Sequence, residues 1–365
     1  MIRIGGDKEL PSKLETYPGY GYQTESGEWR INVFGIAYKR PPFTLRQKMI
    51  LKMLGNAMHA SESELDGSIF RDRVWPFFVD GDRGIKLHAK IGGDTFKLKK
   101  KTRKTGRFNN WLRIPNSLVK SHSRTDESGC QILDYEVVPR DGSLNPVSGS
   151  IRLLSRTGVS IVSDIDDTIK DSDVTNRRQL LKNSFLNEFK TIQGMSDVYQ
   201  QWQDSGAGFH YVSSSPWQLY NPLSQLISDG DFPNGNMHLR NFRLRDELLK
   251  PVMILRRKGK AIVIKKLMKH LPDRKFILIG DSGEKDPEIY SKLRRKFPNQ
   301  VVGLFIRELS DRPMHAERMS KLGKGKKRWR KQPICQVFKD ADNLDQLTQS
   351  VFEKLQHNQK QLVLK

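Results

Sequence analysis

The sequence is poor in cysteine and has no long apolar run. Only Cys130 and Cys335 occur in 365 residues, and neither belongs to a C-x-x-C pair. Two cysteines cannot build a disulfide framework, which favours a reducing compartment with inert thiols. No stretch of about 18 apolar residues occurs, so a membrane-spanning helix is not expected. The first residues also lack the apolar core of a signal peptide, and we therefore expect a cytoplasmic protein.

Acidic residues are scarce relative to basic ones. The chain has 64 Lys and Arg against 41 Asp and Glu, a net charge of +23. Residues 97–107, 240–260 and 311–331 carry all but three of these net charges. Such patches attract polyanions, which here means nucleic acid, a phosphorylated substrate or an anionic lipid surface. Any single patch could instead be a solvated loop that only keeps the protein soluble.

Length and composition indicate a globular protein of two domains, the first spanning residues 1–150. Apolar and polar residues alternate over 29–38 and 84–91, which predicts strands in a smaller β-rich domain. The spacing also predicts a helix over residues 45–58. Residues 127–150 are rich in Gly, Ser, Asp and Pro and are predicted to form the boundary or the segment that leads into it.

The second domain is predicted to span residues 151–358, with a basic insertion at 311–331 and a tail at 359–365. Short apolar runs alternate here with longer helical segments, at 159–163, 208–213, 276–280, 301–306 and 334–338. This alternation predicts an α/β fold, a parallel sheet with helices on both faces. In such sheets the functional residues lie just past the carboxyl ends of the strands.

Two of these predicted strands end in acidic residues. Asp164 and Asp166 follow the first run, and Asp281 and Asp286 follow the third. Clustered carboxylates suit Mg²⁺, which binds one or two carboxylates together with water and substrate phosphate. The alternative is a set of helix N-caps, because Asp is favoured at that position. Two acidic strand ends in one sheet favour the metal site.

The second run ends in three hydroxyl residues, Ser213, Ser214 and Ser215, at the start of a predicted helix. Hydroxyls and backbone N–H groups at a helix start bind anions, and Ser215 also suits a helix N-cap. An acid pair, an anion-binding turn and a basic segment are together the parts of a phosphoryl-transfer site. One carboxylate can attack phosphorus and a second can carry the proton, while a lysine and a metal neutralise the phosphoryl oxygens.

These residues resemble a known superfamily. Asp164-x-Asp166-x-Thr168, Ser213, a downstream lysine and Gly280-Asp281-x-x-x-x-Asp286 are similar to motifs I to IV of the haloacid dehalogenase superfamily of phosphatases. Longer strings resemble the catalytic domain of the actin-patch type phosphatidate phosphatases, relatives of the lipins, at residues 162–170, 209–220, 232–240 and 280–290. The resemblance is strong over 158–307, weaker over 29–120 and absent over 311–331.

The resemblance implies a Rossmann-like parallel sheet of the haloacid dehalogenase type, preceded by the β-rich domain. It implies a Mg²⁺-dependent enzyme that hydrolyses phosphatidate to diacylglycerol and phosphate. Asp164 would be the nucleophile that forms an aspartyl-phosphate. Asp166 would protonate the leaving alkoxide and then activate water.

The resemblance also implies the other site residues. Mg²⁺ would be held by Asp164, the backbone carbonyl of Asp166, Asp281 and, through water, Asp286. Thr168 and Ser213 would hydrogen-bond the motif I carboxylate and the phosphoryl oxygens. For the motif III lysine we prefer Lys258, with Lys260 and Lys250 as alternatives. The candidates for contacts with the substrate are Ser214, Ser215, His238 and Arg240.

Three functions fit the sequence. The preferred one is a phosphatidate phosphatase held peripherally on an anionic membrane by its basic patches, with residues 324–331 and Trp329 as the best anchor. The second is the same chemistry on a soluble or nucleic-acid phosphate. The third is a non-catalytic phosphatidate-binding module, which the presence of both Asp164 and Asp166 disfavours.

Overall fold

The computed structural model describes residues 10–42, 44–240, 258–323 and 334–344. Some residues singled out above lie outside these ranges: Lys250, the stretch 324–331 with Trp329, and the tail 359–365. Within the described ranges the chain forms two compact units, which divide between Arg156 and Thr157. No helix in the described ranges is long and apolar enough to cross a membrane.

The described strands of the first unit form one sheet, which is antiparallel except where β10 runs parallel to β2. They are β1 (Leu10–Thr16), β2 (Gly19–Gln23), β3 (Trp29–Arg40), β4 (Asp80–Gly81), β5 (Leu87–Ile91), β6 (Asp94–Lys97), β7 (Arg107–Ile114), β8 (Ser123–Thr125), β9 (Gln131–Pro139) and β10 (Val147–Leu154). The helices of this unit are α1 (Leu45–Met58), α2 (Glu62–Asp66), α3 (Ser68–Val74) and α4 (Asn116–His122).

The β-rich character and the helix at 45–58 are confirmed, and α1 begins at a capping box formed by Thr44 and Gln47. Residues 127–150 are not a linker, because β9 and the first half of β10 lie within them as an antiparallel pair. The segment instead leads into the division between the two units after Arg156. Leu133, Tyr135 and Val137 alternate into the core of this sheet. The turn-forming residues that suggested a boundary lie mainly in the turns before and after β9.

The second unit contains a parallel sheet, as predicted. Its described strands are β11 (Val159–Ser163), β12 (Gly208–Pro216), β13 (Asn236–Arg240), β14 (Lys275–Asp281), β15 (Val301–Arg307) and β16 (Ile334–Phe338). Its described helices are α5 (Arg177–Phe185), α6 (Met195–Asp204), α7 (Tyr220–Asp229), α8 (Lys258–His270), α9 (Asp286–Lys296) and α10 (Ala316–Gly323).

The strand order is β13-β12-β11-β14-β15-β16, and every neighbouring pair is parallel. The chain adds β12 and β13 on one side of β11 and then crosses to add β14, β15 and β16 on the other. Because the order reverses at β11, the connections that follow β11 and its neighbours leave a crevice at their carboxyl ends. All five residues of β11 are buried, so its carboxyl end is held rigidly at that crevice.

Candidate active site

The acidic residues of two neighbouring strands meet at this crevice. Asp164 directly follows β11 and Asp281 ends β14, and the Asp164 N–H donates to the Ile279 carbonyl at 2.9 Å. One carboxylate oxygen from each of Asp164, Asp281 and Glu284 lies within 4.8 Å of the other two. The structure therefore brings together the two carboxylates that the sequence placed at a common ion.

Glu284 is a member of this cluster that the sequence analysis missed. Its backbone N–H donates to Asp281 Oδ1 at 2.8 Å, which folds the loop after β14 back on itself. Its position in the acidic string between Asp281 and Asp286 was the available signal. The sequence analysis gave Asp286 the supporting place in the ion site, whereas the structure brings Glu284 into the carboxylate cluster.

A buried lysine connects the acidic groups. Lys260 Nζ lies 2.9 Å from Asp164 Oδ2, 2.8 Å from Glu284 Oε2 and 3.0 Å from Asp286 Oδ1. Asp286 is fully buried and also accepts from the Tyr290 hydroxyl at 3.3 Å. Lys260, which the sequence analysis gave as an alternative to Lys258 for the motif III lysine, therefore lies among these carboxylates. Lys258 is the first residue of the same helix α8.

Burial dominates the electrostatics of the cluster. It raises the pKa of Asp164 well above its ordinary value, and the Lys260 ammonium only partly opposes this. Burial and the neighbouring Asp286 raise the pKa of Asp281 to about 7. Burial alone would lower the pKa of Lys260, but the carboxylates around it raise that pKa well above its ordinary value. Three carboxyl groups, those of Asp164, Glu284 and Asp286, thus share one buried ammonium.

A divalent cation fits this donor set. Asp281 Oδ2 and Asp164 Oδ1 are buried and have no hydrogen-bond partner among the residues that the structure describes. Buried polar atoms without a protein partner are costly, and a bound cation would satisfy these two oxygens. Because all the donors are carboxylate oxygens, the cluster suits a hard cation such as Mg²⁺.

Asp166 is held differently from Asp164. Its Oδ2 accepts from the hydroxyls of Ser213 at 3.0 Å and Ser215 at 2.8 Å. Its Oδ1 accepts from Ser172 Oγ at 2.7 Å and lies 3.4 Å from Lys170 Nζ. Burial alone would raise the pKa of Asp166, but Lys170 and the three hydroxyls together lower it below the ordinary value.

The side chains of Lys170 and Ser172 were not predicted from the sequence. Lys170 is 1% exposed and donates to Ser172 Oγ at 2.6 Å, so the two side chains form one support for Asp166. Both lie in the loop between β11 and α5. Asp167, which directly follows Asp166, accepts from three backbone N–H groups of this loop, those of Ser172, Asp173 and Val174. Asp167 is therefore a loop-capping residue.

Three further predicted residues, Thr168, Ser214 and Arg240, lie at the same edge of the sheet. Thr168 is buried, and in the described part of the chain its hydroxyl has no hydrogen-bond partner. Ser214 Oγ lies 3.4 Å from Glu284 Oε2. Arg240 is half-buried at the end of β13, opposite Pro216 of β12.

His238 does not supply a positive charge at neutral pH. Burial, with a smaller contribution from Lys266, lowers its pKa to about 4. Its Nε2 lies 3.4 Å from Nδ1 of His210, so the two imidazoles face each other across β12 and β13. A contact between His238 and a phosphate would therefore be a neutral hydrogen bond.

A residue of helix α10 also holds the loop after β14 in place. Arg318 of α10 donates to the carbonyls of Ser282 at 2.9 Å and Glu284 at 3.2 Å. It also pairs with Glu288 at 3.1 Å. Arg318 belongs to the basic segment 311–331, for which the sequence suggested surface contacts with polyanions. Its guanidinium instead fixes the loop that follows Asp281 and carries Glu284.

Comparison with known proteins identifies a family model and curated relatives that are similar to part of this chain. A family model described as the catalytic domain of phosphatidate phosphatase APP1 matches residues 159–308. Phosphatidate phosphatase APP1 of Saccharomyces cerevisiae is 35% identical over 189 residues, which cover 49% of this chain and 32% of that protein. An uncharacterised protein of Schizosaccharomyces pombe is 33% identical over 174 residues, 46% of this chain and 28% of the relative. The chain thus spans about a third of the length of these curated relatives.

Comparison with solved structures adds no functional information. The PilB minor pilin from Streptococcus sanguinis aligns over 87% of this chain and 97% of its own, with 9% identity and a TM-score of 0.25. A carbohydrate esterase aligns over 96% and 97%, with 10% identity and a TM-score of 0.24. Likeness at this level carries no argument about fold or function.

Proposed function

We propose that this chain, in which residues 159–308 are an APP1-type phosphatidate phosphatase catalytic domain, is a Mg²⁺-dependent phosphatase that hydrolyses phosphatidate to diacylglycerol and phosphate. The fold proposed for the domain is the haloacid dehalogenase type of Rossmann-like sheet. The observation that carries the proposal is the meeting of Asp164 and Asp281 at neighbouring strand ends, with Lys260 Nζ 2.9 Å from Asp164.

The metal would be held by Asp164, Asp281 and Glu284, with the backbone carbonyl of Asp166 as a further oxygen donor. When bound, Mg²⁺ supplies positive charge that neutralises the phosphoryl oxygens and the surrounding carboxylates. Lys260 adds a fixed ammonium beside the same oxygens, and Asp286 and Tyr290 keep that ammonium in place.

In the first half of the reaction the Asp164 carboxylate attacks phosphorus. The bond between phosphorus and the glycerol oxygen breaks as the bond from Asp164 to phosphorus forms, which gives an aspartyl-phosphate. Asp166, which takes up a proton from solvent as the negatively charged phosphate enters the site, donates that proton to the departing alkoxide. Ser213 and Ser215 hold Asp166 through the hydrogen bonds that their hydroxyls donate to its Oδ2.

In the second half a water molecule attacks the phosphorus of the aspartyl-phosphate. Asp166, now ionised, takes the proton from that water, and phosphate leaves as Asp164 is regenerated. The hydrogen bonds from Ser172 and Lys170 stabilise the ionised form of Asp166, which suits it to the role of base.

The proposed substrate is a membrane lipid, so the chain would work peripherally at an anionic surface. The basic loop at 97–107 supports this part of the proposal, because Lys97, Lys99, Lys100, Lys101, Arg103 and Lys104 are all exposed. Lysine and arginine near an anionic surface contribute about 1 kcal/mol each.

The test is phosphate release from a panel of phosphatidate in detergent micelles, soluble sugar phosphates and 5′-phosphorylated oligonucleotides, each with Mg²⁺ and with EDTA. We expect Mg²⁺-dependent release from phosphatidate and at most slow release from the others. Preferential release from the oligonucleotides would favour a nucleic-acid phosphatase. No release from any substrate, together with specific phosphatidate binding, would favour the non-catalytic module.

A further inference from the structure

Helix α1 in the first unit exposes an apolar stripe to solvent. Leu45 is 85% exposed, Met49 60% and Met53 49%. These residues are spaced four apart, so they lie one above the other on a single face. The opposite face is buried through Leu51 and Met58. The exposed stripe is therefore additional to the face that α1 needs for packing.

Basic side chains border the stripe on both sides. Lys48 and Lys52 follow it on one side and Arg46 on the other, as the 100° step per residue of an α-helix requires. All three are exposed, and α1 contains no acidic residue. The acidic helix α2 packs elsewhere, because its Leu65 lies against Gly55 on the buried side of α1.

A second set of basic residues lies near the carboxyl end of β3, which is also the end that leads into α1. Helix α1 follows the carboxyl end of β3, and the Ala37 N–H near that end donates to the Gly106 carbonyl at 3.0 Å. Gly106 belongs to the loop 97–107, which carries the six exposed lysines and arginines named above. Apolar side chains and a concentration of positive charge thus occur together in this unit.

We propose that the exposed face of α1 is a docking surface for an anionic membrane. Leu45, Met49 and Met53 enter the boundary between headgroups and acyl chains, while the flanking lysines contact lipid phosphates. The cores of protein–protein interfaces are depleted in lysine. The lysines beside the stripe therefore favour a lipid partner over a protein partner. The choice of a lipid partner rests on the proposed lipid substrate.

The test is sedimentation of the full chain with phosphatidylcholine vesicles, with and without phosphatidylserine, which is anionic but is not the proposed substrate. We expect wild type to bind only the anionic vesicles and to dissociate as salt is raised. The variant with Leu45→Gln, Met49→Gln and Met53→Gln should bind at least about tenfold more weakly. Neutralising Arg46, Lys48 and Lys52 to Gln should have an effect of similar size.

The matched control neutralises three exposed lysines elsewhere in the unit, Lys86, Lys90 and Lys120, to Gln. We expect this variant to lose less than about threefold, because the charge removed is the same but lies away from the stripe. Equal losses for both charge variants, or full binding by the stripe variant, would overturn the proposal. A dimer that the stripe variant abolishes, without any vesicle effect, would assign the face to a second copy and also overturn it.

Hydrolysis of p-nitrophenyl phosphate and of phosphatidate in detergent micelles separates this inference from the proposed function. All α1 variants should keep the wild-type kcat on both substrates, since the carboxylate cluster is formed by residues of the second unit. A chain that hydrolyses phosphatidate in micelles but binds vesicles independently of α1 contradicts only the docking surface. A chain that binds vesicles through α1 but hydrolyses neither substrate contradicts only the proposed function.

Discussion

Asp164 and Asp166 are two residues apart, but their surroundings shift their pKa values in opposite directions. The Lys170 ammonium and the hydrogen bonds from three hydroxyls lower the pKa of Asp166. Asp164 has the Lys260 ammonium on one oxygen and no hydrogen-bond donor among the described residues for the other. An incompletely compensated buried carboxylate costs free energy unless a cation binds it. This difference supports nucleophilic and metal-binding roles for Asp164 and a proton-transfer role for Asp166.

The first prediction concerns the nucleophile. Asp164→Asn removes the attacking oxygen and a charge that the fold must otherwise desolvate, so we expect phosphate release to fall by at least about 10³-fold without loss of the fold. Phosphate release and thermal unfolding provide the measurements. The control is Asp171→Asn, the same change at an exposed position of the following loop. Turnover by Asp164→Asn at more than a few per cent of wild type would refute the assignment.

The second prediction distinguishes two lysines of one helix. Lys260→Met leaves Asp164, Glu284 and Asp286 without their ammonium, so we expect kcat to fall by about 100-fold or more. The unfolding temperature should also fall, and Mg²⁺ should raise it more for this variant than for wild type. Lys258→Met is the matched control and should change kcat by less than about threefold. The reverse order of effects would restore Lys258 as the motif III lysine.

The third prediction is a pH dependence at His238. The pKa is about 4 in the folded chain and about 6.5 in the unfolded one, so the unfolded state binds more protons between these values. The free energy of unfolding therefore decreases as pH falls through this window. His238→Gln should reduce that slope in urea denaturation at a series of pH values, whereas His315→Gln, at an exposed position, should preserve it. An unchanged slope for His238→Gln would show that His238 titrates normally.

At the scale of elements, the loop after β14 depends on helix α10. Arg318 contacts two carbonyls of that loop and Glu288 of α9. Arg318 therefore acts as a positioning residue for Asp281 and Glu284, although it lies beyond the residues that the family model matches.

The fourth prediction follows from this contact. Arg318→Ala should weaken Mg²⁺ binding by about tenfold, which is typical for residues that orient metal ligands. Arg318→Lys should not restore it, because an ammonium cannot span three acceptors in the way that a guanidinium does. The control is Arg312→Ala, an exposed arginine of the same segment. Equal Mg²⁺ affinity for Arg318→Ala and wild type, by calorimetry, would remove the positioning role.

The parallel sheet could be predicted from the sequence because its strands are short, apolar and separated by helical segments. The positions of Asp164, Asp281 and the serines follow from that, since they occur where those strands end. The strands β9 and β10 were missed because turn-forming residues surround them and hide the alternation of buried side chains. Lys260, Lys170 and Arg318 contact the site through packing of distant segments, which local sequence patterns do not reveal.

At the scale of the whole molecule, the basic residues that give the positive net charge have more than one role. Lys260 and Arg318 are basic residues that compensate carboxylates or carbonyls around the cluster. The lysines of the loop 97–107 are exposed instead and remain available to an anionic partner. Net charge therefore predicts affinity for anions only after residues with such internal partners are subtracted.

The central claim is that Asp164 and Asp281 bind one divalent cation together. Titration of the full chain with Mg²⁺ by calorimetry, repeated with Mn²⁺ by electron paramagnetic resonance, tests it without reference to turnover. We predict one site in wild type and in Asp171→Asn, and loss of that site in both Asp164→Asn and Asp281→Asn. Retention of wild-type affinity by Asp281→Asn would contradict the account.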